Sequence, residues 1–367
     1  MGRRSLRGSR AAADGRSLSC NNGVLFDAVR ERLADLIGRF GLEARREAIQ
    51  EAYRLLFRQS MAQDTRVSRL NADGTPIQFS LALAVGCRPA LQFLGEAGGP
   101  GATMEERMQA GREAMERIAR LMGVEDDLAG AGELIGRMAP EADRALTENR
   151  SGVYWIGVSF PPEGAASLTV YINAKWGSAE SQWERMRAFA GWFGAEAEWA
   201  LLEGRLRGSM DPLGAAVTVT RGHAARGRIY ASAYGLPLAY YQRLMGDFPA
   251  RFAAEMLGEE DCGYPLRSSA CSFETETGGA IRGKKFELCA HCAFVNDAEA
   301  ADRVRAWLER EGSGEGLYSD VLEIVGRGAE LSRLTPPALH AYVGVGLRGS
   351  ERYTSVYLNP GPAVRGD

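Results

Sequence analysis

The spacing of apolar side chains along the chain changes period several times. Residues 26–44 and 46–61 carry apolar side chains three and four positions apart, which predicts two helices. The period then becomes two over residues 75–83 and 87–96, which predicts a pair of strands. Helical patterns follow this pair and continue to about residue 147.

The order of two strands followed by one or two helices recurs along the chain. Further strand pairs are predicted over residues 152–160 and 166–176, 214–222 and 226–234, 269–277 and 284–294, and 339–349 and 352–360. Strands joined by short connections are antiparallel, and a unit repeated at this length indicates one architecture built from copies. We therefore predict an α+β fold over residues 25–362, a single domain in which five ββα(α) units form a ten-stranded antiparallel β-barrel surrounded by helices.

Each predicted strand divides into an apolar face and a polar face. In residues 226–234, one face carries two arginines and a tyrosine, while the other carries glycine, isoleucine and alanine. The apolar faces would meet the helices, and the polar faces would line a chamber, because ten strands enclose more space than eight. The basic and phenolic residues predicted to face this chamber are Arg88, Arg226, Arg228, Lys285, Arg348, Tyr171, Tyr230 and Tyr357.

This cluster of cations predicts an anionic ligand. Burying an unpaired cation is costly, so either a wet chamber or an anion must complete the cluster. A diphosphate fits, because arginine offers forked donors to its oxygens and tyrosine adds neutral O–H donors. The alternative interpretation is that the arginines pair with carboxylates at the barrel rim.

The composition is that of an ordinary globular protein. The chain has 367 residues, a quarter of them charged, and a formal net charge of −3, which argues against a nucleic-acid partner. No apolar run approaches the roughly 18 residues that span a bilayer, so we expect a cytoplasmic protein without a membrane partner. Residues 1–24 are rich in Arg, Ser and Gly and predict a disordered basic tail. The protein is expected to be a monomer or a homodimer.

Motifs of several other classes of enzyme are absent. The chain has no GxxxxGK[ST] phosphate loop, no GxGxxG after a strand and no DDxxD run. The sequence CAHC at residues 289–292 has zinc-like spacing, but two cysteines so placed on a strand would point to opposite faces. We therefore expect no metal and no cofactor, and we expect protein side chains to hold the diphosphate.

Six short sequences occur in an order typical of one enzyme family: GTPIQFSLAL, CRPALQFL, LTVYIN, RGRIYASAY, AYVGVGLRG and TSVYLNP. On them, over about residues 45–360, the chain resembles the soluble aromatic prenyltransferases of the ABBA, or prenyltransferase-barrel, fold. The resemblance is greatest to bacterial indole prenyltransferases of the dimethylallyltryptophan synthase branch. It implies an enzyme that binds a prenyl diphosphate without an obligatory metal, ionises it and alkylates an electron-rich ring.

The resemblance also implies roles for individual residues. The diphosphate-binding residues that it implies are Arg88, Tyr171, Arg226, Arg228, Tyr230 and Tyr357. Arg228 stands where the family has a lysine, and Thr169 and Ser355 replace two further lysines. Lys175, Lys285 or Arg348 would then supply the missing positive charge.

A further departure from the family concerns the acceptor. Gln78 stands where tryptophan-specific members carry a glutamate that holds the indole N–H and accepts a proton. An amide accepts a hydrogen bond but is not a general base. Either the acceptor differs from free tryptophan, or a group such as Glu287 or His291 takes the proton. The alternatives are that His291 is structural and that Glu287 neutralises Lys285.

The sequence therefore predicts an aromatic prenyltransferase of secondary metabolism, with dimethylallyl or geranyl diphosphate as donor and an indole-type or related acceptor. A peptide or a phenol is the alternative acceptor, and a non-catalytic barrel that binds an anionic ligand is the alternative function. Gly157, Gly344 or Gly346 would either enlarge the chamber for a longer prenyl chain or mark a bulge.

Overall fold

The computed structural model describes residues 24–61, 68, 70–99, 102–140, 152–259, 261 and 263–365. The predicted tail, except for Val24, and the end of the helical stretch predicted to residue 147 lie outside these residues. Two helices begin the described chain where the apolar spacing predicts them, α1 (Val24–Arg39) and α2 (Arg46–Phe57). They pack against each other ahead of the first strand.

The described residues form twelve strands. They are β1 (Ile77–Ala84), β2 (Leu91–Gly95), β3 (Tyr154–Phe160), β4 (Ser167–Asn173), β5 (Asp211–Thr220), β6 (Arg226–Ala233), β7 (Leu236–Pro237), β8 (Pro265–Leu266), β9 (Ser269–Glu276), β10 (Ile281–Cys289), β11 (His340–Arg348) and β12 (Glu351–Leu358). The short strands β7 and β8 pair with each other. The other ten close into one antiparallel barrel, in which β6 pairs with β9 and β12 pairs with β1.

Helices connect the strand pairs and surround the barrel. They are α3 (Met104–Met122), α4 (Glu125–Met138), α5 (Ala179–Trp192), α6 (Glu196–Leu206), α7 (Leu238–Met245), α8 (Asp247–Leu257), α9 (Ala290–Ala293), α10 (Asp297–Glu311) and α11 (Glu315–Val325), and α12 (Gly361–Arg365) follows the last strand. This arrangement confirms the predicted ten-stranded barrel with helices outside. Within the described ranges, each helix is too short or insufficiently apolar to cross a bilayer.

The apolar face of each barrel strand packs against the helices. On β4, Leu168, Val170 and Ile172 are at most 1 % exposed, and α3 and α4 lie against this strand. The polar residues between them point the other way, because successive side chains of a strand alternate between its two faces. The interior of the barrel is therefore lined by the polar faces.

The five barrel hairpins all turn at the same end of the barrel. In each pair, from β1 and β2 to β11 and β12, a short loop joins two antiparallel neighbours, and the helical connection leaves from the opposite end. We call these the hairpin end and the helical end. An interior residue near the turn of its hairpin therefore lies at the hairpin end.

Strand β10 ends earlier than the alternation predicts. Residues 284–294 were expected to form one strand, but the ladder stops at Cys289, which pairs with Tyr342. On the other side of β10, the ladder with β9 stops one residue earlier, where Leu288 pairs with Ser269, the first residue of β9. Beyond these pairs β10 has no further ladder partner, although β11 itself begins two residues before Tyr342, at His340, and residues 290–293 form the short helix α9.

Candidate active site

A cavity of about 280 Å³ lies inside the barrel toward its hairpin end. Each of the ten barrel strands contributes at least one lining residue. The structure brings together in this lining all eight residues that were predicted to bind a diphosphate: Arg88, Tyr171, Arg226, Arg228, Tyr230, Lys285, Arg348 and Tyr357. A single polar cavity thus collects side chains that lie up to 269 residues apart, from position 88 to position 357.

Three of the arginines meet a carboxylate that the sequence pattern did not predict. Glu274, on β9, forms ion pairs with Arg228, with Arg348 at 2.9 Å and with Arg226 at 3.7 Å. Its side chain is 8 % exposed. Burial by itself would raise the pKa of Glu274, but the three arginines outweigh burial and lower the pKa to about 2. The cavity therefore contains a permanent negative charge among its cations.

Lys285 lies on the interior face of β10. Its Nζ donates a hydrogen bond to the phenol oxygen of Tyr357 (2.5 Å) and forms an ion pair with Glu287 (2.7 Å). Because the phenol oxygen accepts this bond, the O–H proton of Tyr357 is left to donate to a ligand. Lys285 thus lies in the same cavity lining as Thr169 and Ser355, the two positions at which the resemblance implies missing lysines.

Three phenols complete the middle of the cavity. Burial raises the pKa of Tyr171, Tyr230 and Tyr357 above its ordinary value. They are therefore neutral O–H donors at physiological pH. The rings of Tyr171 and Tyr230 lie 6.1 Å apart, so they also form an aromatic wall.

Two further cations lie away from the middle of the cavity. Arg88 was expected on the second strand, but that strand begins at Leu91, so Arg88 lies in the β1–β2 hairpin loop. It is exposed at the cavity mouth, and Pro89, which has no backbone N–H, follows it outside the ladder. Lys175 lies beyond the end of β4 and is not a lining residue, and burial lowers its pKa.

Gln78 lies on the interior face of β1, nearer the helical end, and is 2 % exposed. It is not one of the residues that line the cavity. Its Nε2 donates to Asn71 Oδ1 (2.8 Å) and to the carbonyl oxygen of Leu70 (3.2 Å). Asn71 Nδ2 donates to the carbonyl oxygens of Thr75 and Ile77, both at 2.8 Å. Backbone carbonyls therefore orient both amides and leave Gln78 Oε1 as the hydrogen-bond acceptor.

The two candidate bases differ in position. Glu287 is 7 % exposed and lies one step deeper on β10 than Lys285, outside the cavity lining. His291, expected to point inward from a strand, instead lies on α9 and is exposed at the helical end. Because residues 290–293 form this helix, the strand alternation expected to point Cys289 and Cys292 to opposite faces does not apply. Among the described residues, no group of three or more His, Cys, Asp or Glu side chains is arranged to hold a metal ion.

The interior glycines do not enlarge the cavity. A Cβ at Gly157 would lie 3.0 Å from the Tyr171 ring, and a Cβ at Gly346 would overlap the Tyr353 ring. A Cβ at Gly344 would overlap the backbone of Phe286 and crowd Glu287. Side chains of neighbouring strands therefore fill the space that these glycines leave, and the ladder shows no bulge at any of the three.

No family model and no curated protein matches the chain, whereas several solved structures are similar to it. The 6-dimethylallyltryptophan synthase of Micromonospora olivasterospora, in complex with DMASPP and Trp, is 20 % identical at a TM-score of 0.78 and covers 92 % of this chain and 97 % of its own. The 5-dimethylallyltryptophan synthase of Streptomyces coelicolor gives the same four values. AnaPT of Neosartorya fischeri is 17 % identical at a TM-score of 0.70, covering 90 % of this chain and 91 % of its own.

The likeness extends over nearly the whole of each chain, although few residues are identical. It therefore concerns the path of the backbone rather than individual side chains. The expected resemblance is confirmed at that level: the chain has the prenyltransferase-barrel fold of the dimethylallyltryptophan synthases.

Proposed function

We propose that the protein is an aromatic prenyltransferase that moves a prenyl group from an allylic diphosphate to an electron-rich aromatic ring. The convergence of five basic side chains and three phenols on one interior cavity carries this proposal. The fold supports it, because the similar structure from Micromonospora olivasterospora binds DMASPP and Trp.

The diphosphate would lie at the hairpin end, among Arg226, Arg228 and Arg348. Guanidinium groups bind phosphate oxygens through paired N–H donors. Negative charge grows on the diphosphate as the allylic C–O bond breaks, and donors that are already in place stabilise this charge. We propose that these protein cations are sufficient, so that the reaction needs no metal ion.

The prenyl group would lie against the tyrosine rings. The ring centroids of Tyr171 and Tyr230 lie 6.1 Å apart with the rings tilted at 47°, and the Tyr357 ring lies 6.3 Å from that of Tyr342 nearer the helical end. Aromatic faces attract a cation, so these rings would stabilise the allylic carbocation and keep water away from it.

The aromatic acceptor would lie deeper, between the tyrosines and Gln78. Gln78 Oε1 is the free acceptor of its amide, so it would bind an indole N–H or a phenol O–H. An amide does not take up a proton. We propose that Glu287 accepts the proton that the ring loses, because its carboxylate lies on the interior face within 2.7 Å of Lys285.

Incubating the pure protein with C5, C10 and C15 prenyl diphosphates and a panel of indoles, a carbazole, phenols and peptides tests this function. Mass spectrometry of the products identifies the donor and the acceptor together. We expect a prenylated indole-type product. Binding of a prenyl diphosphate without release of pyrophosphate for any acceptor would favour a non-catalytic anion-binding barrel.

Two treatments test the mechanism. Arg228→Ala should lower the turnover rate by at least about a hundredfold. Its circular dichroism spectrum should stay that of the wild type. A chelator should leave the activity unchanged. Complete loss of activity with EDTA, restored by a divalent cation, would place the enzyme in a metal-dependent class.

A further inference from the structure

Glu274 is a carboxylate inside a site that otherwise favours anions. It is almost fully buried and forms ion pairs with three of the four arginines of the cavity lining, Arg226, Arg228 and Arg348. A negative charge beside a diphosphate opposes the charge that grows on the leaving group. Stabilisation of the leaving group therefore does not account for this carboxylate.

We propose that Glu274 is a specificity residue, which competes with phosphate groups for Arg226, Arg228 and Arg348. This inference rests on the proposed function. In the free protein the carboxylate occupies the guanidinium donors, so an entering diphosphate must draw the arginines away from it. The competition costs pyrophosphate and prenyl diphosphate about the same binding free energy, but only the prenyl diphosphate offsets this cost, because pyrophosphate has no prenyl chain to pack against the tyrosine rings.

Two consequences follow for the reaction. The pyrophosphate product leaves more readily, because the carboxylate takes back the donors that the product releases. Inorganic phosphate and pyrophosphate in the cell do not fill the site that the prenyl diphosphate needs. Since the pKa of Glu274 is about 2, the competition operates at every pH near neutrality.

A purely structural role predicts the opposite result. If Glu274 only holds the three guanidinium groups in place, its removal loosens them and weakens the binding of pyrophosphate. If Glu274 competes with phosphate, its removal strengthens that binding. The direction of the change therefore distinguishes the two explanations.

Isothermal titration calorimetry with inorganic pyrophosphate measures this direction. Glu276→Gln is the matched control for Glu274→Gln, because Glu276 lies on the same face of β9 and opposite Arg226 in the ladder, but it is 40 % exposed, pairs with Arg282 and does not line the cavity. We expect Glu274→Gln to bind pyrophosphate roughly tenfold more tightly and Glu276→Gln to bind it like the wild type. Unchanged or weaker binding by Glu274→Gln would overturn the proposal.

Kinetics separate this role from the proposed function. With a substrate pair that the wild type accepts, Glu274→Gln should lower the inhibition constant for pyrophosphate roughly tenfold, whereas Glu276→Gln should leave it unchanged. An unchanged inhibition constant would contradict the competition. A wild type that transfers no prenyl group would instead refute the proposed function, while the calorimetric comparison would stand.

A crystal structure of the wild type with pyrophosphate does not depend on folding of the variant. We expect phosphate oxygens to accept hydrogen bonds from Arg228 and Arg348, with at least one arginine moved beyond about 4 Å from Glu274. Pyrophosphate bound beside three intact ion pairs would show that no competition occurs.

Discussion

Tyr357 receives the hydrogen bond of Lys285 and so keeps its own proton for a ligand. We expect Tyr357→Phe to lower kcat/KM for the prenyl diphosphate about tenfold, because one neutral donor to the leaving group is lost. The melting temperature should change little, since phenylalanine fills the same volume and Lys285 keeps Glu287. Steady-state kinetics and thermal denaturation measure the two effects.

Tyr318→Phe is the matched control for this substitution. Tyr318 is fully buried, and its hydroxyl bonds His340 Nε2 (2.8 Å) between the barrel and α11, away from the cavity. The variant should lose about 1 to 2 kcal/mol of stability and keep its kcat/KM. Equal losses of activity in both variants would show that Tyr357 acts only through packing.

Glu274 also makes the stability of the protein depend on acid pH. Its pKa is about 2 in the folded protein, below the value of about 4.3 for an unfolded glutamate. Its ion pairs therefore stabilise the fold fully at pH values above the pKa of the unfolded glutamate. This stabilisation is lost as the pH falls through the folded pKa of about 2. Urea titrations should show Glu274→Gln less stable by about 3 kcal/mol at neutral pH. The gap should narrow below pH 4, and a gap independent of pH would contradict this account.

At the scale of elements, the position of β6 depends on a glycine, Gly227, whose lack of a side chain leaves room for an aromatic ring. Gly227 faces outward between Arg226 and Arg228, and a Cβ there would overlap the ring of Phe193, which follows α5. Gly227→Ala should therefore separate strand and helix, with a loss of about 1 to 3 kcal/mol and a lower affinity for prenyl diphosphate. Thermal denaturation and KM report these changes.

Gly204→Ala, in the exposed part of α6, provides the comparison. No atom lies within 4 Å of a Cβ at that position, so helix propensity alone should stabilise the protein by about 0.5 to 1 kcal/mol. Opposite signs are expected for the two substitutions. Similar effects would mean that the contact between Gly227 and Phe193 does not hold β6 in place.

The sequence predicted which residues face the interior but not which of them meet. Alternation within β6 placed Arg226, Arg228 and Tyr230 on one face, because a period of two is a property of the strand itself. The ion pairs of Glu274 depend on the pairing of β6 with β9, and more than thirty residues with two helices separate these strands. Alternation in 269–277 puts Glu274 inside, yet only the closed barrel places it beside Arg228.

The end of β10 shows a second limit. Alternation continues in the sequence through His291 to Phe294, but a strand persists only while its neighbours offer hydrogen-bond partners. The ladders with β9 and β11 stop at Leu288 and Cys289, although β11 itself extends to His340, where it pairs with β12. Period alone therefore placed His291 inside, whereas the end of these ladders leaves it on a surface helix.

At the scale of the whole molecule, closure of β12 on β1 completes the cavity. This pairing brings Tyr357 opposite Ser80 and Ser355 opposite Ala82. The chain carries a net charge of −3, yet five of its cations gather around this one interior space. Arg88, Arg226 and Arg348 lie nearest the open hairpin end. These five cations outnumber the two carboxylates of the lining, Glu274 and Glu351, so the cavity is positive on a protein whose overall charge is slightly negative, and it would attract a diphosphate from solution.

This attraction predicts how activity depends on salt. Ions screen charges beyond about 8 to 10 Å at moderate ionic strength, so kcat/KM for the prenyl diphosphate should fall severalfold between low and high sodium chloride. The KM of an uncharged acceptor should stay constant.

Arg88→Ala should lower kcat/KM about threefold or more and flatten the salt dependence, because Arg88 is exposed at the mouth. Arg137→Ala removes an exposed charge on α4 (side chain 71 % exposed), which pairs with Glu133 away from the cavity, and should leave both unchanged. If Arg137→Ala flattens the curve as much as Arg88→Ala does, total charge rather than the charged mouth governs entry.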